Sequence, residues 1–188
     1  FAARGHRHAM IRARETRRAV IVMVFLVLIW GYSWICSKIA LAYASPLDFA
    51  ALRIELGLAS LFAAMLWTGT PLAPREVRSL LMIGLVQTCG FTLLQTSALM
   101  YGAPGETSVL VFTMPFWVLI FAWPFLHERI RGMQWLAVAL AAGGLVFLLD
   151  PWTMHSSLFG RALAVTAGAC WAMSVVIAKR LHARRKVN

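Results

Sequence analysis

The sequence has few charged residues, and acidic ones are especially scarce. Only 13% of its 188 residues are charged and just seven are Asp or Glu, whereas soluble domains carry about 25% charged residues. Hydrophobic residues make up 61% of the chain, and its mean hydropathy is +0.75. A soluble domain of this size cannot enclose so many apolar side chains and still present a wetted surface. A soluble globular fold is therefore excluded, and an integral membrane protein is indicated.

Cysteines are few and the common catalytic motifs are absent. Cys36, Cys89 and Cys170 lie in separate apolar runs without C-x-x-C spacing, so neither a disulfide framework nor a zinc site is predicted. The chain has no H-E-x-x-H or G-x-S-x-G motif and no pair of mid-membrane aspartates, which intramembrane acid–base or nucleophilic chemistry would need. We therefore expect no catalytic residue, no metal and no cofactor.

The 18 basic residues are concentrated at the chain ends and in two interior loops. Six precede the first apolar run, five close the chain, and two lie in each of the segments 75–78 and 129–131. A net charge of +11 would suggest nucleic-acid binding in a soluble protein, but Lys and Arg also accumulate in short cytoplasmic loops of membrane proteins. This distribution predicts a multi-pass protein of the cell membrane with both termini cytoplasmic, and no nucleic-acid partner.

Six continuous apolar runs follow the basic tail, each near the roughly 20 residues that a membrane-spanning helix needs. Pro, Gly or charged residues separate the runs. Because the runs are continuously apolar, they lack the alternation of apolar and polar residues that a lipid-facing β-strand needs. The predicted fold is an all-α polytopic membrane bundle of six transmembrane helices, at residues 20–43, 49–68, 79–100, 107–126, 133–149 and 158–178.

The first and sixth runs share the pattern W-x-x-S-x-x-x-x-K, starting at Trp30 and at Trp171. Because the two runs are an odd number of helices apart, they cross the membrane in opposite directions, as in inverted-repeat transporters. We therefore predict a basic cytoplasmic tail at residues 1–19 and a complete five-helix repeat at 20–150. Residues 158–188 would be the start of a second repeat followed by a basic cytoplasmic tail, so that the chain is truncated from ten helices.

Short motifs in order along the chain carry a family resemblance. They include I-W-G-Y-S at residues 29–33, Q-T-S-A-L at 95–99, T-M-P-F-W at 113–117 and C-W-A at 170–172. With these motifs the chain resembles the drug/metabolite transporter superfamily, specifically its EamA-like domain. The resemblance implies ten helices, cytoplasmic termini, and export of small metabolites, amino acids or drugs.

Three charged residues lie inside the predicted spans: Lys38, Arg53 and Glu55. A charge at the bilayer centre costs at least about 2.5–3.5 kcal/mol on insertion scales, so such residues are candidates for function. Lys38 and Arg53 are near the outer ends of their helices, where long side chains can extend to the interface. Glu55 lies deeper; it is expected to pair with one of the two cations, to be protonated, or to couple proton movement to transport.

Pro115 interrupts the fourth run. It cannot donate a hydrogen bond to the Val111 carbonyl, so it should kink or loosen the helix, and the Thr113 hydroxyl is placed to compensate. A plain packing kink and a hinge or cavity wall are both consistent with the sequence. The family resemblance, which implies that Pro115 and Phe116 face a central cavity, favours the second interpretation.

Other polar and aromatic residues inside the spans are candidates for lining a substrate cavity. Their alternative roles are interhelical hydrogen bonding, worth about 0.6 kcal/mol on average in membranes, and interfacial anchoring of tryptophan. Small residues of the fifth run, such as Gly143 and Gly144, predict close helix packing there. The cavity candidates, besides Thr113, Pro115 and Phe116, are Trp30, Tyr32, Ser33, Trp34, Gln87, Thr92, Gln95, Trp171 and Ser174.

The function expected from these features is alternating-access transport, in the direction of export, of a small amphipathic metabolite, amino acid or drug. The expected partners are the lipid bilayer and a small-molecule substrate, and a homodimer is a further candidate assembly. Two alternatives stay open: a non-transporting membrane scaffold or accessory protein and, less favoured, an intramembrane enzyme.

The repeat hypothesis predicts the content of the complete reading frame. Because residues 158–188 would open a second repeat, about four further apolar runs of roughly 20 residues should follow Asn188. Sequencing the reading frame beyond this point checks the expectation. A reading frame without further apolar runs after Asn188 would contradict the ten-helix plan and favour a scaffold role.

Overall fold

Nearly all of the described chain is helical. In the computed structural model, the described residues are 2–70, 76–126, 132–149 and 156–187, and no β-strand occurs within these ranges. The elements are α1 (Ala2–Ala40), α2 (Pro46–Thr68), α3 (Val77–Ile83), a π-helix (Gly84–Phe91), α4 (Thr92–Tyr101), α5 (Pro104–Val111), α6 (Met114–Leu126), α7 (Gln134–Leu149) and α8 (Leu158–Val187).

The helices group into spans that agree with the predicted apolar runs. Five are long and apolar enough to cross a membrane: Thr16–Ala40, Pro46–Thr68, Val77–Tyr101, Pro104–Phe125 and Leu158–Ala183. The third of these combines α3, the π-helix and α4, and the fourth combines α5 and α6. The prediction of an all-α polytopic membrane bundle is thereby confirmed.

The fifth predicted span corresponds to α7, whose apolar part, Gln134–Phe147, is shorter than the other five. The predicted separators at residues 71–75, 127–131 and 150–152 lie outside the described residues. The chain divides into two compact units, residues 1–37 and 38–188, which are described separately below.

Local sequence explains the limits of α2. Ser45 is its N-cap, and the Ser45 hydroxyl oxygen accepts a hydrogen bond from the Asp48 backbone N–H at 3.2 Å. Pro46 at the first helical position needs no hydrogen-bond partner for its nitrogen. At the other end, Gly69 adopts φ +64°, the left-handed conformation that ends many helices and that glycine adopts without strain.

Small residues recur at every fourth position along α8. Gly160, Ala164, Gly168 and Ala172 are all buried, and α8 packs against α4, α5, α6 and the π-helix. Such spacing lines one stripe of a helix and lets neighbouring backbones approach closely, which drives helix association in lipid. α8 is therefore the helix around which residues 38–188 are packed.

Two glycines of this stripe have no room for a side chain. A Cβ added at Gly168 would lie 2.7 Å from the carbonyl oxygen of Val111, and one added at Gly160 would lie 2.6 Å from the Cβ of Tyr101. In the fifth span, by contrast, a Cβ at Gly143 or Gly144 would meet no described atom within 4 Å. The prediction of close packing at these two glycines is therefore wrong, because the close approach is made by the sixth span instead.

The third and sixth spans run antiparallel. Phe91 contacts Trp171 edge-to-face with ring centroids 4.7 Å apart, and Tyr101 contacts Phe159 in the same manner at 5.3 Å. Moving forward along the third span therefore means moving backward along α8. This register sets which residues of the two spans meet.

Replacing Gly168 with Ala tests the close approach. We expect a loss of about 1–3 kcal/mol, since an added methyl group would overpack against the Val111 carbonyl. Thermal unfolding of the purified protein in detergent measures the loss as a lower melting temperature. The matched control is Gly143→Ala, where the methyl group meets open space and helix propensity improves by up to about 1 kcal/mol. Equal effects of the two changes would contradict the packing of α8.

Candidate functional site

A partly buried hydrogen bond joins the third and sixth spans. The single proton of the Ser174 hydroxyl is shared between two acceptors, the Trp171 carbonyl oxygen at 2.7 Å and the Gln87 side-chain oxygen at 3.0 Å. Ser174 has no exposed surface. The structure thus brings together two residues that the sequence marked as cavity candidates but could not pair, since 87 positions separate them.

An aromatic contact lies next to this polar pair. Trp171 packs its ring against Phe91 at an interplanar angle of 74°, an arrangement in which the positive edge of one ring meets the negative face of the other. Phe91 was not among the predicted residues. Its signal in the sequence is its position four residues after Gln87 and four before Gln95, which places the three close to one face of the third span.

The third span is wound as a π-helix over Gly84–Phe91, the segment that carries Gln87 and Phe91. π-helical turns are rare and occur frequently at functional sites. Gly90 lies in the same segment, where an added Cβ would be 3.7 Å from the Cys170 sulfur. The winding and the small residue together allow the π-helix to lie directly against α8.

Gln95 is buried in α4 without a hydrogen bond for its side-chain oxygen. The residue is 5% exposed, and this oxygen has no partner among the described residues. The neighbouring buried polar residue, Thr96, is satisfied because its hydroxyl donates to the Thr92 carbonyl at 2.8 Å. The half-buried Thr92, also a cavity candidate, thus contributes its backbone to this contact.

The fourth span is broken where the sequence predicts. α5 ends at Val111 and α6 begins at Met114, and Pro115 has no N–H to donate to the Val111 carbonyl. The Thr113 hydroxyl donates to the Leu110 carbonyl at 2.8 Å, so it compensates at the carbonyl preceding the one that proline frees. The Val111 carbonyl itself faces Gly168 of α8.

Pro115 and Phe116 line a separate apolar groove of about 430 Å³ between α6 and α7. Its other lining residues are Phe112, Leu119, Ala137, Val138, Ala141, Gly144 and Leu145. Two groups of predicted cavity residues therefore form within residues 38–188: Gln87, Trp171 and Ser174 at the third and sixth spans, and Pro115 with Phe116 at this groove. Thr92, Gln95 and Thr113 belong to neither group.

The four candidates of the first span belong to the unit of residues 1–37. Trp30 and Tyr32 are exposed, Ser33 is half-buried and Trp34 is buried. The Ser33 hydroxyl donates to the Trp30 carbonyl at 2.6 Å. Their role as cavity residues stays a prediction.

Among the charged candidates, Lys38 has the best-defined contacts. Its ammonium group donates to the carbonyls of Leu99 and, at 3.4 Å, of Met100. α4 ends at Tyr101, and the last four carbonyls of a helix lack partners within it. Lys38 therefore caps the negative end of α4, where a positive charge is favourable.

Arg53 and Glu55 are both exposed. Neither has a hydrogen bond or ion pair with any described residue. The ion pair found among these residues is a different one, between Arg161 and Glu106. The structure thus does not bring Glu55 to Lys38 or Arg53. Pairing, protonation and coupling of Glu55 remain predictions.

A polar cluster at the starts of α5 and α8 was missed by the sequence reasoning. The Ser156 hydroxyl hydrogen-bonds to the Glu106 carboxylate, and the Arg161 guanidinium donates to the Ser156 carbonyl at 2.9 Å. Arg161 and Glu106 also approach to 4.0 Å. The available signal was that these two residues carry opposite charges and lie at the starts of the fourth and sixth spans, but Ser156 gave none.

The apolar spans define a polytopic membrane protein, and the fourth of them is broken in its middle. The model of the EamA-like transporter family matches residues 17–150, which is most of the chain. The chain belongs to the EamA-like transporter family. This assignment supports a carrier over an intramembrane enzyme.

Curated relatives have transporter names. The chain is 32% identical to the uncharacterized transporter YvbV of Bacillus subtilis over 169 residues, covering 89% of this chain and 55% of the relative. It is 26% identical to the uncharacterized transporter YoaV of the same organism over 167 residues, covering 86% and 57%.

A third relative is a "probable amino-acid metabolite efflux pump" of Escherichia coli, 26% identical over 170 residues, covering 88% of this chain and 55% of the relative. The chain thus spans little more than half the length of the curated relatives it matches. No solved structure matches the chain significantly.

The cap on α4 predicts different effects for two cationic residues. Lys38→Met should cost about 1–2 kcal/mol, because two carbonyls lose a charged donor. Arg53→Met, a matched removal of an exposed cation, should leave stability within about 0.5 kcal/mol. Melting temperatures of the two purified variants measure both effects. A loss in Arg53→Met as large as that in Lys38→Met would show that the cap is not the cause.

Proposed function

We propose that the whole protein is a carrier that exports a small amphipathic metabolite, amino acid or drug by alternating access. The observation that supports this proposal most directly is the contact of Gln87 and Phe91 with Ser174 and Trp171. Polar and aromatic groups thus meet between two antiparallel spans. The family to which the chain belongs consists of transporters. The name of the Escherichia coli relative, "probable amino-acid metabolite efflux pump", agrees with this substrate range.

The carrier is proposed to consist of two inverted five-helix repeats with both termini cytoplasmic. Residues 20–150 would be the first repeat, and α8 would open the second. In this plan substrate sites lie near the bilayer midplane at the repeat interface. The packing of α8 onto α4, α5, α6 and the π-helix supports the plan, since the first helix of one repeat then lies against helices of the other.

The substrate would bind where α8 meets the third span. Edge and face of the Phe91–Trp171 pair suit the apolar part of an amphipathic solute, and Gln87 with Ser174 offers hydrogen-bonding groups for its polar part. In the solute-free protein, Gln87 and Ser174 are hydrogen-bonded to each other. Binding of a solute would therefore replace this hydrogen bond with another and would leave no polar group unpaired.

The break at residues 112–113 supplies a place for movement. Hinges are a few residues that take up large backbone changes, and a helix divided at its middle can move as two halves. The Val111 carbonyl at the end of α5 lies against Gly168 of α8. A motion of α6 relative to α5 would therefore change the packing of α8 next to the proposed substrate site. Glu55 stays a candidate for energy coupling.

Reconstitution of the protein from its complete reading frame tests the proposal. Liposomes preloaded with a mixture of unlabelled amino acids should take up labelled phenylalanine by counterflow faster than protein-free liposomes. Trp171→Ala should reduce the rate about tenfold or more, because an aromatic contact and its buried area are lost. The matched control Trp123→Ala removes a tryptophan that is 62% exposed and should leave the rate unchanged.

Two results would count against the carrier. Uptake equal to that of protein-free liposomes for amino acids, and for a panel of amphipathic drugs, would favour a scaffold. Equal loss of rate in Trp171→Ala and Trp123→Ala would place the substrate away from the third and sixth spans.

A further inference from the structure

The buried carboxamide of Gln95 is exceptional among the polar side chains that the structure describes. Within the described residues, its oxygen is the buried side-chain oxygen or nitrogen that lacks a hydrogen-bond partner. Buried polar groups in native proteins are almost always hydrogen-bonded, and exceptions call for an explanation. In a membrane the need is greater, because bulk water is not available to the group.

The surroundings of Gln95 explain why no side chain bonds to it. The contacts of Phe91 with Trp171 and of Tyr101 with Phe159 fix the antiparallel register of the third span and α8. By this register the α8 residues level with Gln95 are Thr166 and Ala167. Ala167 is buried and has no side-chain donor, and Thr166 is exposed and donates its hydroxyl to the Ala162 carbonyl within α8 at 2.7 Å.

Gln95 also adjoins the proposed substrate site. It lies four residues after Phe91, hence one helical turn away on the same face, and Phe91 contacts Trp171. The site therefore has an unused hydrogen-bond acceptor within a helical turn of an aromatic surface. The acceptor is a carboxamide oxygen and is therefore neutral. No Asp, Glu, Lys or Arg occurs in residues 79–100, so the third span itself brings no charge to it.

We infer that Gln95 is a specificity-determining residue that selects solutes carrying a hydrogen-bond donor, an amide or amine N–H, on an apolar or aromatic body. This inference rests on the carrier proposed above and adds the substrate class. A carbonyl oxygen accepts a hydrogen bond from such a donor, whereas an ester or other aprotic group leaves it unpaired in a dry site. Sites built to hydrogen-bond a ligand reject analogues that lack the matching group.

Stability of two matched variants gives the first test. Gln95→Met removes an unpaired amide and keeps an unbranched side chain, so the melting temperature of the solute-free protein should stay the same or rise. Gln87→Met removes the partner of Ser174 and should lower the melting temperature by about 1–2 °C or more. A decrease in Gln95→Met as large as that in Gln87→Met would overturn the inference, since the amide would then serve the fold, for example through an ordered water.

Ligand discrimination gives the second test. Two neutral probes of similar size, 3-phenylpropionamide and methyl 3-phenylpropionate, are titrated calorimetrically into the full-length protein in nanodiscs, with empty nanodiscs subtracted. The wild type should bind the amide about tenfold more tightly than the ester. Gln95→Met should reduce this ratio to about one, whereas Gln134→Met, which changes an exposed glutamine of α7, should preserve it. Equal affinities in the wild type, or a ratio that survives in Gln95→Met, would overturn the inference.

The outcomes separate the substrate class from the carrier itself. Binding that depends on Gln95 without any flux into liposomes would disprove the carrier and leave the donor preference standing. Flux of labelled phenylalanine with no amide preference, and no effect of Gln95→Met on it, would disprove the donor preference and leave the carrier standing.

Discussion

The close approach of α8 to the break in the fourth span is the contact on which the arrangement of residues 38–188 depends. Lipid tails are as apolar as leucine, so helices in a membrane associate through packing and hydrogen bonds rather than by leaving water. Gly168 provides that packing because its missing side chain admits the Val111 carbonyl. Gly160 does the same for Tyr101 at the other end of the interface. With α8 fixed at two points, its polar and aromatic residues are held against the third span.

Polar groups follow from this packing in two different ways. Lys38 satisfies carbonyls at the end of α4, and Ser174 satisfies Gln87 in the interior, so both strengthen the bundle. Gln95 does not, since it is buried and its side-chain oxygen has no partner among the described residues. A membrane helix retains an unpaired amide at a cost in stability, and proteins accept such costs chiefly at functional sites. The interface therefore combines a stable frame with a local group whose partner comes from outside the chain.

Much of the fold, and less of the site, could be predicted from the sequence. Apolar run lengths give the spans because bilayer thickness sets them, and Pro115 gives the break because its missing N–H is a local property. The pairing of Gln87 with Ser174 depends on helix register across 87 positions, which no local pattern encodes. Small residues occur in both the fifth and the sixth span, so their presence alone does not show which span makes the close approach; the four-residue spacing in α8 is the local signal that distinguishes it. Lys38 was expected near an interface, but its carbonyl partners follow only from where α4 ends.

The π-helix gives the third span a surplus of chain. A π-helix bonds each N–H five residues back instead of four, so Gly84–Phe91 holds roughly one residue more than an α-helix of the same length would. Removing a single residue there could restore ordinary winding without breaking the span, whereas the same deletion in α4 would turn one part of the span relative to the other by about 100°. Each α-helical residue turns the chain by about 100°. With one residue removed between Gln87 and Phe91, Gln87 and Gln95 would be seven residues apart in a continuous α-helix, a turn of about 700°. The two amides would then lie within about 20° of each other around the helix axis, so the deletion would keep both the membrane segment and their shared face.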